Sequence, residues 1–309
     1  MPLHIQTPLW ESHPLSQAAG RPILLKMEAL QPVGSFKIRG IGRTCQLAAE
    51  AGIDHLVSSS GGNAGYAVAY AGDKLGLKVT VVVPSTTSAF MRDLLTSRGA
   101  EVIEFGKVWD RAHAHAQQIA EPAKARLIHP FEGESTWDGH ATLIEELVEQ
   151  TERPASIVLS VGGGGLLCGV IRGLEKVGWD DVPVLAVETI GADSLLTSLE
   201  AGKLVTLPEI TSIAKTLGAS TVSPTAFQYA RTKKVTAVRV TDAEAVNACA
   251  NFATDHKLFV EPACGAALAT AYTSPKNLPG KGPVVIIVCG GADATPALLK
   301  TWLKTVKSA

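Results

Sequence analysis

Apolar runs and amphipathic segments alternate along nearly the whole chain. The apolar runs are short, continuous and rich in Val, Ile and Leu, which is typical of strands buried on both faces of a parallel sheet. The strands are predicted at residues 22–28, 55–60, 78–83, 101–105, 126–129, 156–161, 184–188, 235–240 and 284–289. This pattern predicts an α/β fold of open, mainly parallel twisted sheets with helices on both faces.

Helices are expected in the intervals between these strands, where apolar residues recur at helical spacing. The predicted ranges are 38–51, 63–75, 88–98, 109–119, 141–150, 166–177, 194–200, 243–255 and 262–272, with a last helix starting near Pro296. One segment, Pro130–Gly139, is rich in Gly, Glu and Trp and interrupts the alternation. We interpret it as a crossover between two sheet units, so the chain is expected to contain two sheets.

The composition is that of a well-packed soluble protein. Hydrophobic residues make up 46% of the 309 positions and charged residues 18%, which argues against a disordered chain. The 28 basic and 29 acidic residues leave no charge excess that would predict binding to nucleic acid or to an anionic membrane. No apolar run reaches the length of a membrane span, and the N-terminus lacks a signal-peptide pattern. Five scattered cysteines without a CxxC pair favour reduced thiols in a cytoplasmic protein.

The turn at residues 58–65 joins a predicted strand to a predicted helix. In open parallel sheets, ligands bind at the carboxyl ends of the strands, so this position is favourable for a site. Ser60 and Asn63 supply polar side chains there, and backbone N–H groups at the helix start would suit a substrate carboxylate. The alternative is an ordinary glycine turn in which Asn63 or a serine caps the helix, and the turn taken alone favours that interpretation.

Four consecutive glycines at residues 162–165 follow another predicted strand and open a helix at Leu166. Such a run costs backbone entropy, but its amides are free to wrap an anion, most often a phosphate. A P-loop would need Lys-Ser/Thr where Leu166 and Leu167 stand, and a dinucleotide fingerprint would need a glycine at Leu167 or Cys168. Nucleotide binding is therefore weakened but stays open, because Glu188 could imitate the acid that binds a ribose.

An isolated lysine, Lys37, lies in an apolar setting where a predicted strand leads into a helix. Taken alone it is most simply a surface residue, just as Cys289 is most simply a small buried hydrophobe. A phosphate-binding turn together with such a lysine suggests pyridoxal 5'-phosphate, which needs an anion cradle, a lysine for its Schiff base and a group beside its pyridine nitrogen. The turns at 188–194 and 216–219 could bind a cation or be solvated loops, and the residues alone leave this open.

Through these motifs the chain resembles the pyridoxal-phosphate enzymes of fold type II, which are tryptophan synthase β-like, and among them the L-serine/L-threonine dehydratases and the serine-dehydratase-like group. The matching stretches include Gly34–Gly40, Ser59–Gly65, Gly162–Leu166, Glu261–Ala267 and Val288–Gly291. The resemblance implies deamination of L-serine to pyruvate and of L-threonine to 2-oxobutyrate, with release of ammonia, by α-proton abstraction and β-elimination of water. It also implies a homodimer. We expect a large cofactor-binding domain at residues 1–36 and 137–309 and a small domain at residues 37–136.

The resemblance further implies a role for each matching residue. Lys37 would hold the cofactor covalently and act as the catalytic base. The other cofactor-binding residues would be Phe36, Asn63, Gly162, Gly163, Gly164, Gly165, Leu166, Thr216 and Cys289. The substrate carboxylate would be bound by Ser60, Gly61 and Asn63. A monovalent cation, typically potassium, would be ringed by Glu188, Ala192, Ser194, Leu217 and Ala219.

The sequence departs from the family pattern at two places. Gly61 stands where the more active serine dehydratases carry alanine, and it matches the dehydratase-like variant instead. Ala292-Asp293 replaces the Ser/Asn-type residues common after the final Cys-Gly-Gly. The alternatives within fold type II are serine racemase, threonine synthase and β-replacement enzymes. The alternative from another class is a nucleotide-binding protein without catalysis.

Overall fold

The computed structural model describes residues 1–107, 109–122 and 124–308. The strands are β1 (Leu9–Glu11), β2 (Ile23–Lys26), β3 (His55–Ser58), β4 (Lys78–Val83), β5 (Glu101–Glu104), β6 (Ala125–Leu127), β7 (Ser156–Ser160), β8 (Val184–Thr189), β9 (Val235–Val240) and β10 (Val284–Ile287). The helices are α1 (His13–Ala19), α2 (Lys37–Glu50), α3 (Asn63–Leu75), α4 (Ala89–Thr96), α5 (Trp109–Ile119), α6 (Glu134–Gln150), α7 (Gly165–Lys176), α8 (Ser194–Ala201), α9 (Pro224–Thr232), α10 (Asp242–His256), α11 (Pro262–Thr273) and α12 (Pro296–Ser308).

Two sheets form the framework. The larger has six strands in the order β1-β2-β10-β7-β8-β9, and the smaller has four in the order β5-β4-β3-β6. β1 is antiparallel to β2, whereas the other pairs in both sheets are parallel. Strands β7, β8 and β10 are buried along their whole length, which explains their uninterrupted apolar sequences. The predicted α/β class with two mainly parallel sheets is confirmed.

The larger sheet is built from residues 9–26 and 156–287, and the smaller sheet from residues 55–127. A large apolar cluster packs around the strands of the first sheet, and a second cluster packs α2 and α3 against strands of the other. Each sheet thus has a core of its own. The exact domain boundaries at 36/37 and 136/137 stay a prediction.

The segment Pro130–Gly139 does connect the two sheets, as predicted, but the predicted helix start at 141 is wrong, because α6 already begins at Glu134. Gly139 lies inside this helix, where it serves close packing rather than a turn. A Cβ atom at Gly139 would overlap the carbonyl oxygen of Arg39, and one at Gly40 would overlap the side chain of His140. The glycines let α2 and α6 approach closely, and this long-range packing is what turned a loop-like composition into a helix.

Strand β1 and helices α1 and α9 are not among the predicted elements. Strand β1 has only three residues and is partly exposed, so its pattern is weak. Ser12 and Ser223 each accept a hydrogen bond from a first-turn backbone N–H, and each of these helices has a proline in its first turn. A serine followed by an early proline is a start signal that would have found both helices.

Candidate active site

A cleft of about 640 Å³ is lined by residues that follow strands of both sheets. Lys37, Ser60 and Asn63 line it from the side of the smaller sheet, and Gly163 and Thr216 from the side of the larger one. A cavity of about 50 Å³ shares Lys37, Asn63, Gly163 and Thr216 with this cleft. The turns at the carboxyl ends of β3 and β7 therefore contribute to one site, where open parallel sheets bind ligands.

Every residue predicted to hold the cofactor lines the smaller cavity. They are Phe36, Lys37, Asn63, Gly162, Gly163, Gly164, Gly165, Leu166, Thr216 and Cys289. They come from segments as far apart in sequence as α2 and the end of β10. The structure thus brings the whole predicted set together, while their individual roles stay predictions.

Lys37 is the first residue of α2, and its Nζ donates a hydrogen bond of 2.6 Å to the carbonyl oxygen of Pro130. Burial lowers the pKa of Lys37 to about 8, against the opposing influence of Cys289 and Glu261. The Nζ atom also lies 5.1 Å from the centre of the Phe36 ring. An amine with this pKa is partly neutral near pH 7, so it can serve as a nucleophile or a base.

A backbone contact fixes the position of Lys37 relative to Cys289. The N–H of Phe36 donates to the carbonyl oxygen of Cys289 at 3.2 Å. Gly290, with φ of 98°, packs so closely that a Cβ atom there would overlap the carbonyl oxygen of Gly34. Only glycine permits this approach, so the loop before α2 and the turn after β10 hold the lysine and the thiol at the same end of the cavity.

The glycine turn forms the start of α7. Gly164 occupies the N-cap position with φ of 92° and supplies no capping side chain. The first-turn N–H groups of a helix have no intrahelical acceptor and carry the positive end of the helix dipole, which suits a phosphate. A Cβ atom at Gly163 would overlap the ring of Phe131, and one at Gly164 would overlap the Cβ of Ala226. Packing alone therefore requires glycine at these two positions.

Cys289 is buried at the wall of the small cavity. A hydrogen bond with Cys264 and burial raise the pKa of the Cys289 thiol well above its usual value. The thiol is therefore protonated at neutral pH, and it faces the cavity as a neutral group rather than as a thiolate.

Asn63 is the first residue of α3, and the N-cap position belongs to Gly62, which has no capping side chain. The alternative in which Asn63 or a serine caps this helix is therefore wrong. The Nδ2 of Asn63 donates to Oε1 of Glu261 at 2.7 Å, and its Oδ1 accepts from the N–H of Ala292 at 2.8 Å. The first-turn N–H groups of α3 are left available for an anion such as a carboxylate.

The residues predicted for the substrate carboxylate divide into two groups. Ser60 and Asn63 line the cleft, whereas Gly61 is directed at the loop that follows β4. A Cβ atom on Gly61 would lie 2.7 Å from Cγ2 and 2.8 Å from Oγ1 of Thr87. Thr87 thus occupies the space that a methyl group at position 61 would need.

Part of the predicted cation site lies where β8 leads into α8. The Oε1 and Oε2 atoms of Glu188 accept from the N–H groups of Leu195 and Leu196 at 2.9 and 2.8 Å. Burial raises the pKa of Glu188 to about 8. The hydroxyl of Ser194 is buried without a hydrogen-bond partner, so it has an oxygen to offer, and Ala192 lies in the turn between them.

The other predicted cation residues lie in a second segment. The N–H of Ala219 donates to the carbonyl oxygen of Leu217 at 2.7 Å, and Leu217 packs under Gly162. The N–H of Thr211, six positions before Leu217, donates to the carbonyl oxygen of Gly191 in the first segment at 3.1 Å. Within the described ranges no cluster of three His, Cys, Asp or Glu side chains could bind a metal ion, so a cation here would need carbonyl and hydroxyl oxygens.

Sequence reasoning assigned no role to Glu261 and Phe131, although both line the small cavity. Glu261 occupies the N-cap position of α11 without capping it. An acidic residue directly before a proline and an almost wholly apolar helix was a signal that could have drawn attention to it. No local sequence pattern points to Phe131, because its ring packs against Gly163, which lies far from it in the sequence.

Comparison with known proteins agrees with this geometry. A family model described as "Pyridoxal-phosphate dependent enzyme" matches residues 1–290. The chain is 48% identical over 308 residues to the L-serine dehydratase/L-threonine deaminase of Bos taurus, covering 96% of this chain and 94% of that protein. It is 49% identical over 313 residues to the serine dehydratase-like protein of Homo sapiens, covering 98% and 95%. The crystal structure of a fungal L-serine ammonia-lyase from Rhizomucor miehei is similar with a TM-score of 0.93 and 35% identity, covering 98% and 99%.

Proposed function

The chain belongs to the pyridoxal-phosphate-dependent enzyme family, and on that premise we propose that it is an ammonia-lyase for L-serine and L-threonine. It converts L-serine to pyruvate and L-threonine to 2-oxobutyrate, and it releases ammonia in both reactions. The observation that carries the proposal is the small cavity that is lined both by Lys37, whose pKa is lowered, and by the uncapped glycine start of α7.

The residues present fit pyridoxal phosphate. The start of α7 offers backbone N–H groups to a phosphate with no side chain in the way. The lowered pKa of Lys37 suits covalent attachment to an aldehyde, and the neutral thiol of Cys289 suits a place beside the ring nitrogen. Phe36 and Thr216 would lie on the two ring faces, and Asn63 would hydrogen-bond the ring oxygen. When bound, the cofactor supplies an electron-accepting ring that stabilises negative charge at the substrate α-carbon.

Lys37 then takes the α-proton and holds it at Nζ, which its lowered pKa makes possible near neutral pH. Ser60, Asn63 and the first-turn N–H groups of α3 orient the substrate through its carboxylate, and the backbone of Gly61 allows the close approach. Cys289 donates only a weak hydrogen bond, whereas an aspartate would hold a full positive charge on the ring nitrogen. Such a weak donor limits charge delocalisation, which favours loss of the β-hydroxyl over transamination.

We also propose the finer features that the resemblance implies. A monovalent cation, potassium, would be bound by Glu188, Ala192, Ser194, Leu217 and Ala219, and the unpartnered hydroxyl of Ser194 supports this. The protein would be a cytoplasmic homodimer that acts in amino-acid catabolism. Its cysteines are free and buried, as suits a reducing compartment. Among the helices that the structure describes, none is long and apolar enough to cross a membrane.

The test is formation of a 2-oxo acid and ammonia from L-serine, L-threonine and D-serine, with potassium and sodium compared. We expect equal amounts of 2-oxo acid and ammonia from the two L-amino acids, and a higher rate with potassium. Accumulation of D-serine would favour a racemase instead. A colourless protein that carries a nucleotide would contradict the assignment altogether.

Two variants make the test specific. Lys37→Ala removes the proposed base and should lower kcat by about 100-fold or more. Lys176→Ala removes an exposed lysine that is paired with Glu145 on the surface, and it should keep wild-type activity. A Lys37→Ala protein with wild-type activity would overturn the mechanism.

A further inference from the structure

A short turn at residues 129–132 presents the carbonyl oxygen that Lys37 contacts. The Nζ of Lys37 donates to the carbonyl oxygen of Pro130 at 2.6 Å. Proline has a fixed φ angle and no backbone N–H, so it offers the lysine an acceptor and no competing donor. Because φ is fixed, the direction of this carbonyl depends on the ψ angle of Pro130, which the rest of the turn sets.

The side chain of His129 holds this turn. Its Nδ1 accepts a hydrogen bond from the N–H of Glu132 at 2.9 Å and a longer one from the N–H of Phe131 at 3.4 Å. A side-chain acceptor that binds backbone N–H groups two and three residues further on fixes a turn, as the side chains of Asn and Asp do. Both N–H groups follow Pro130 in the chain, so their bonds to His129 set the direction of the Pro130 carbonyl.

The turn is also packed against the glycine segment at the start of α7. The ring of Phe131 lies edge-on to that of His129, with 4.6 Å between their centres. The same ring packs so closely on Gly163 that a Cβ atom there would overlap it. The indole N–H of Trp137 donates to the carbonyl oxygen of Phe131 at 2.8 Å and holds this end of the turn in place. The turn thus contacts the proposed phosphate site at one end and Lys37 at the other.

The surroundings of His129 keep its Nδ1 free to accept. A ring nitrogen accepts a hydrogen bond only when it carries no proton, so the ring must be neutral, with its hydrogen on Nε2. Burial, together with His113 on α5 and Lys37 on α2, lowers the pKa of His129 to about 4. The ring of His113 lies edge-on to that of His129 at 6.1 Å, and its Nδ1 is hydrogen-bonded with the hydroxyl of Ser59 at 2.9 Å. At neutral pH the acceptor that the turn needs is therefore present.

We propose that His129 is a positioning residue for Lys37, because its Nδ1 holds the turn that directs the Pro130 carbonyl at the lysine amine. The catalytic part rests on the proposed function, whereas the turn itself does not. Within the described part of the chain, His129 is not among the residues that line the cleft or the small cavity, so it acts through Pro130 and not on the substrate. Whenever Lys37 is not attached to the cofactor, this carbonyl keeps Nζ in the place from which it takes the α-proton.

Nuclear magnetic resonance of the holoenzyme with isotope-labelled histidine nitrogens tests the turn directly. The nitrogen chemical shift distinguishes a protonated ring nitrogen from an unprotonated one. The signals of His129 are those that vanish in His129→Asn and in His129→Gln, and either variant is enough to identify them. We expect an unprotonated Nδ1 and a hydrogen on Nε2 at neutral pH. A hydrogen on Nδ1, alone or in a charged ring, would overturn the proposal.

The same two variants test whether this nitrogen positions the lysine. The side-chain oxygen of Asn can take the place of Nδ1, whereas the longer side chain of Gln brings its oxygen to the place of Nε2. We expect His129→Asn to keep kcat for L-serine within about twofold of the wild type, and His129→Gln to lower kcat about tenfold or more with little change in KM, because a displaced base slows the chemical step. Equal kcat values in the two variants would overturn the proposal.

The matched control is His115→Gln. His115 also lies on α5, where it contacts Gln118 and Phe105 at the surface, so this variant should keep the wild-type kcat and KM. Thermal unfolding followed by circular dichroism checks that each variant is folded. A wild-type protein that forms no 2-oxo acid from L-serine would overturn the proposed function, while the chemical shifts of His129 would still report on the turn.

Discussion

Lys26 and Lys37 show how burial and hydrogen-bond partners set the chemistry of a single residue. The Nζ of Lys26 lies 2.6 Å from Oε2 of Glu146, and this carboxylate counteracts the lowering of its pKa by burial. The Nζ of Lys37 instead donates to a neutral carbonyl oxygen, that of Pro130. A carbonyl accepts a hydrogen bond from a neutral amine as well as from a charged one, so Lys37 can lose its proton without losing its partner. Lys26 is held as a cation, whereas Lys37 is free to react.

The pKa of Lys37 predicts how fast the apoenzyme captures pyridoxal phosphate. The neutral amine is the reactive form, and its fraction grows as the pH rises through the pKa of about 8. We expect the capture rate to rise between pH 7 and pH 9 and then to level off. Stopped-flow absorbance measures it. If the capture rate kept rising beyond pH 9 and reached half of its maximum only near pH 10.4, about the pKa of an exposed lysine, the effect of burial would be contradicted.

Position 61 allows a second prediction for a single residue. A Cβ atom on Gly61 would crowd Cγ2 and Oγ1 of Thr87, and Cγ1 of Val83 would lie 3.2 Å away. We expect Gly61→Ala to lower the free energy of unfolding by about 1 kcal/mol through overpacking, and Thr87→Ala in the same chain to recover most of it. Urea unfolding of both single variants and the double variant gives the coupling energy. If Gly61→Ala lowered the free energy of unfolding by the same amount in the wild type and in Thr87→Ala, the contact with Thr87 would not be the cause.

At the scale of helices and strands, features that are encoded by neighbouring residues can be predicted from the sequence, whereas contacts between distant residues cannot. Helix α3 is predicted to the residue, because apolar spacing and the C-cap glycine Gly76, with φ of 67°, are encoded locally. The cofactor-binding set was predicted from the resemblance to the fold type II enzymes, which short matching segments of the sequence carry. The bond between Asn63 and Glu261 joins residues 198 positions apart, and no local pattern encodes such a contact.

The start of α7 permits a prediction that separates backbone strain from steric overlap. Gly164 and Gly178 both have positive φ angles, 92° and 73°, on either side of this helix. A Cβ atom at Gly178 has open space, whereas one at Gly164 would overlap the Cβ of Ala226. We expect Gly178→Ala to cost about 1 kcal/mol of stability, and Gly164→Ala to cost clearly more and to weaken phosphate binding.

Urea unfolding and calorimetric titration with inorganic phosphate measure these two effects. Gly178→Ala is the matched control, because it carries the strain without the overlap and should bind phosphate as the wild type does. If both variants lost the same stability and bound phosphate equally well, the glycine turn would have no special part in anion binding.

On the scale of the whole molecule, a buried ion network ties the helix that carries Lys37 to the larger sheet. Arg39 on α2 is fully buried and donates hydrogen bonds to both carboxylate oxygens of Glu28 and of Glu146. Glu28 follows β2, and Glu146 lies on α6. Arg39 lies two positions after Lys37, so the network fixes the start of α2 against the sheet. Its two cations, Lys26 and Arg39, balance its two carboxylates.

Breaking this network should destabilise the whole molecule. Glu28→Ala leaves Arg39 buried with one carboxylate instead of two, and removal of one partner of a buried ion pair costs about 3–5 kcal/mol. Lys78→Ala is the control, since Lys78 and Glu101 form an exposed pair, 61% and 54% exposed, that should contribute less than about 1 kcal/mol. Urea unfolding measures the stability of both variants.

Because α2 carries Lys37, Glu28→Ala should also weaken cofactor binding, which Lys78→Ala should not. Equal stability losses in the two variants would show that Arg39 finds solvent or another partner, and the network would then not position the lysine.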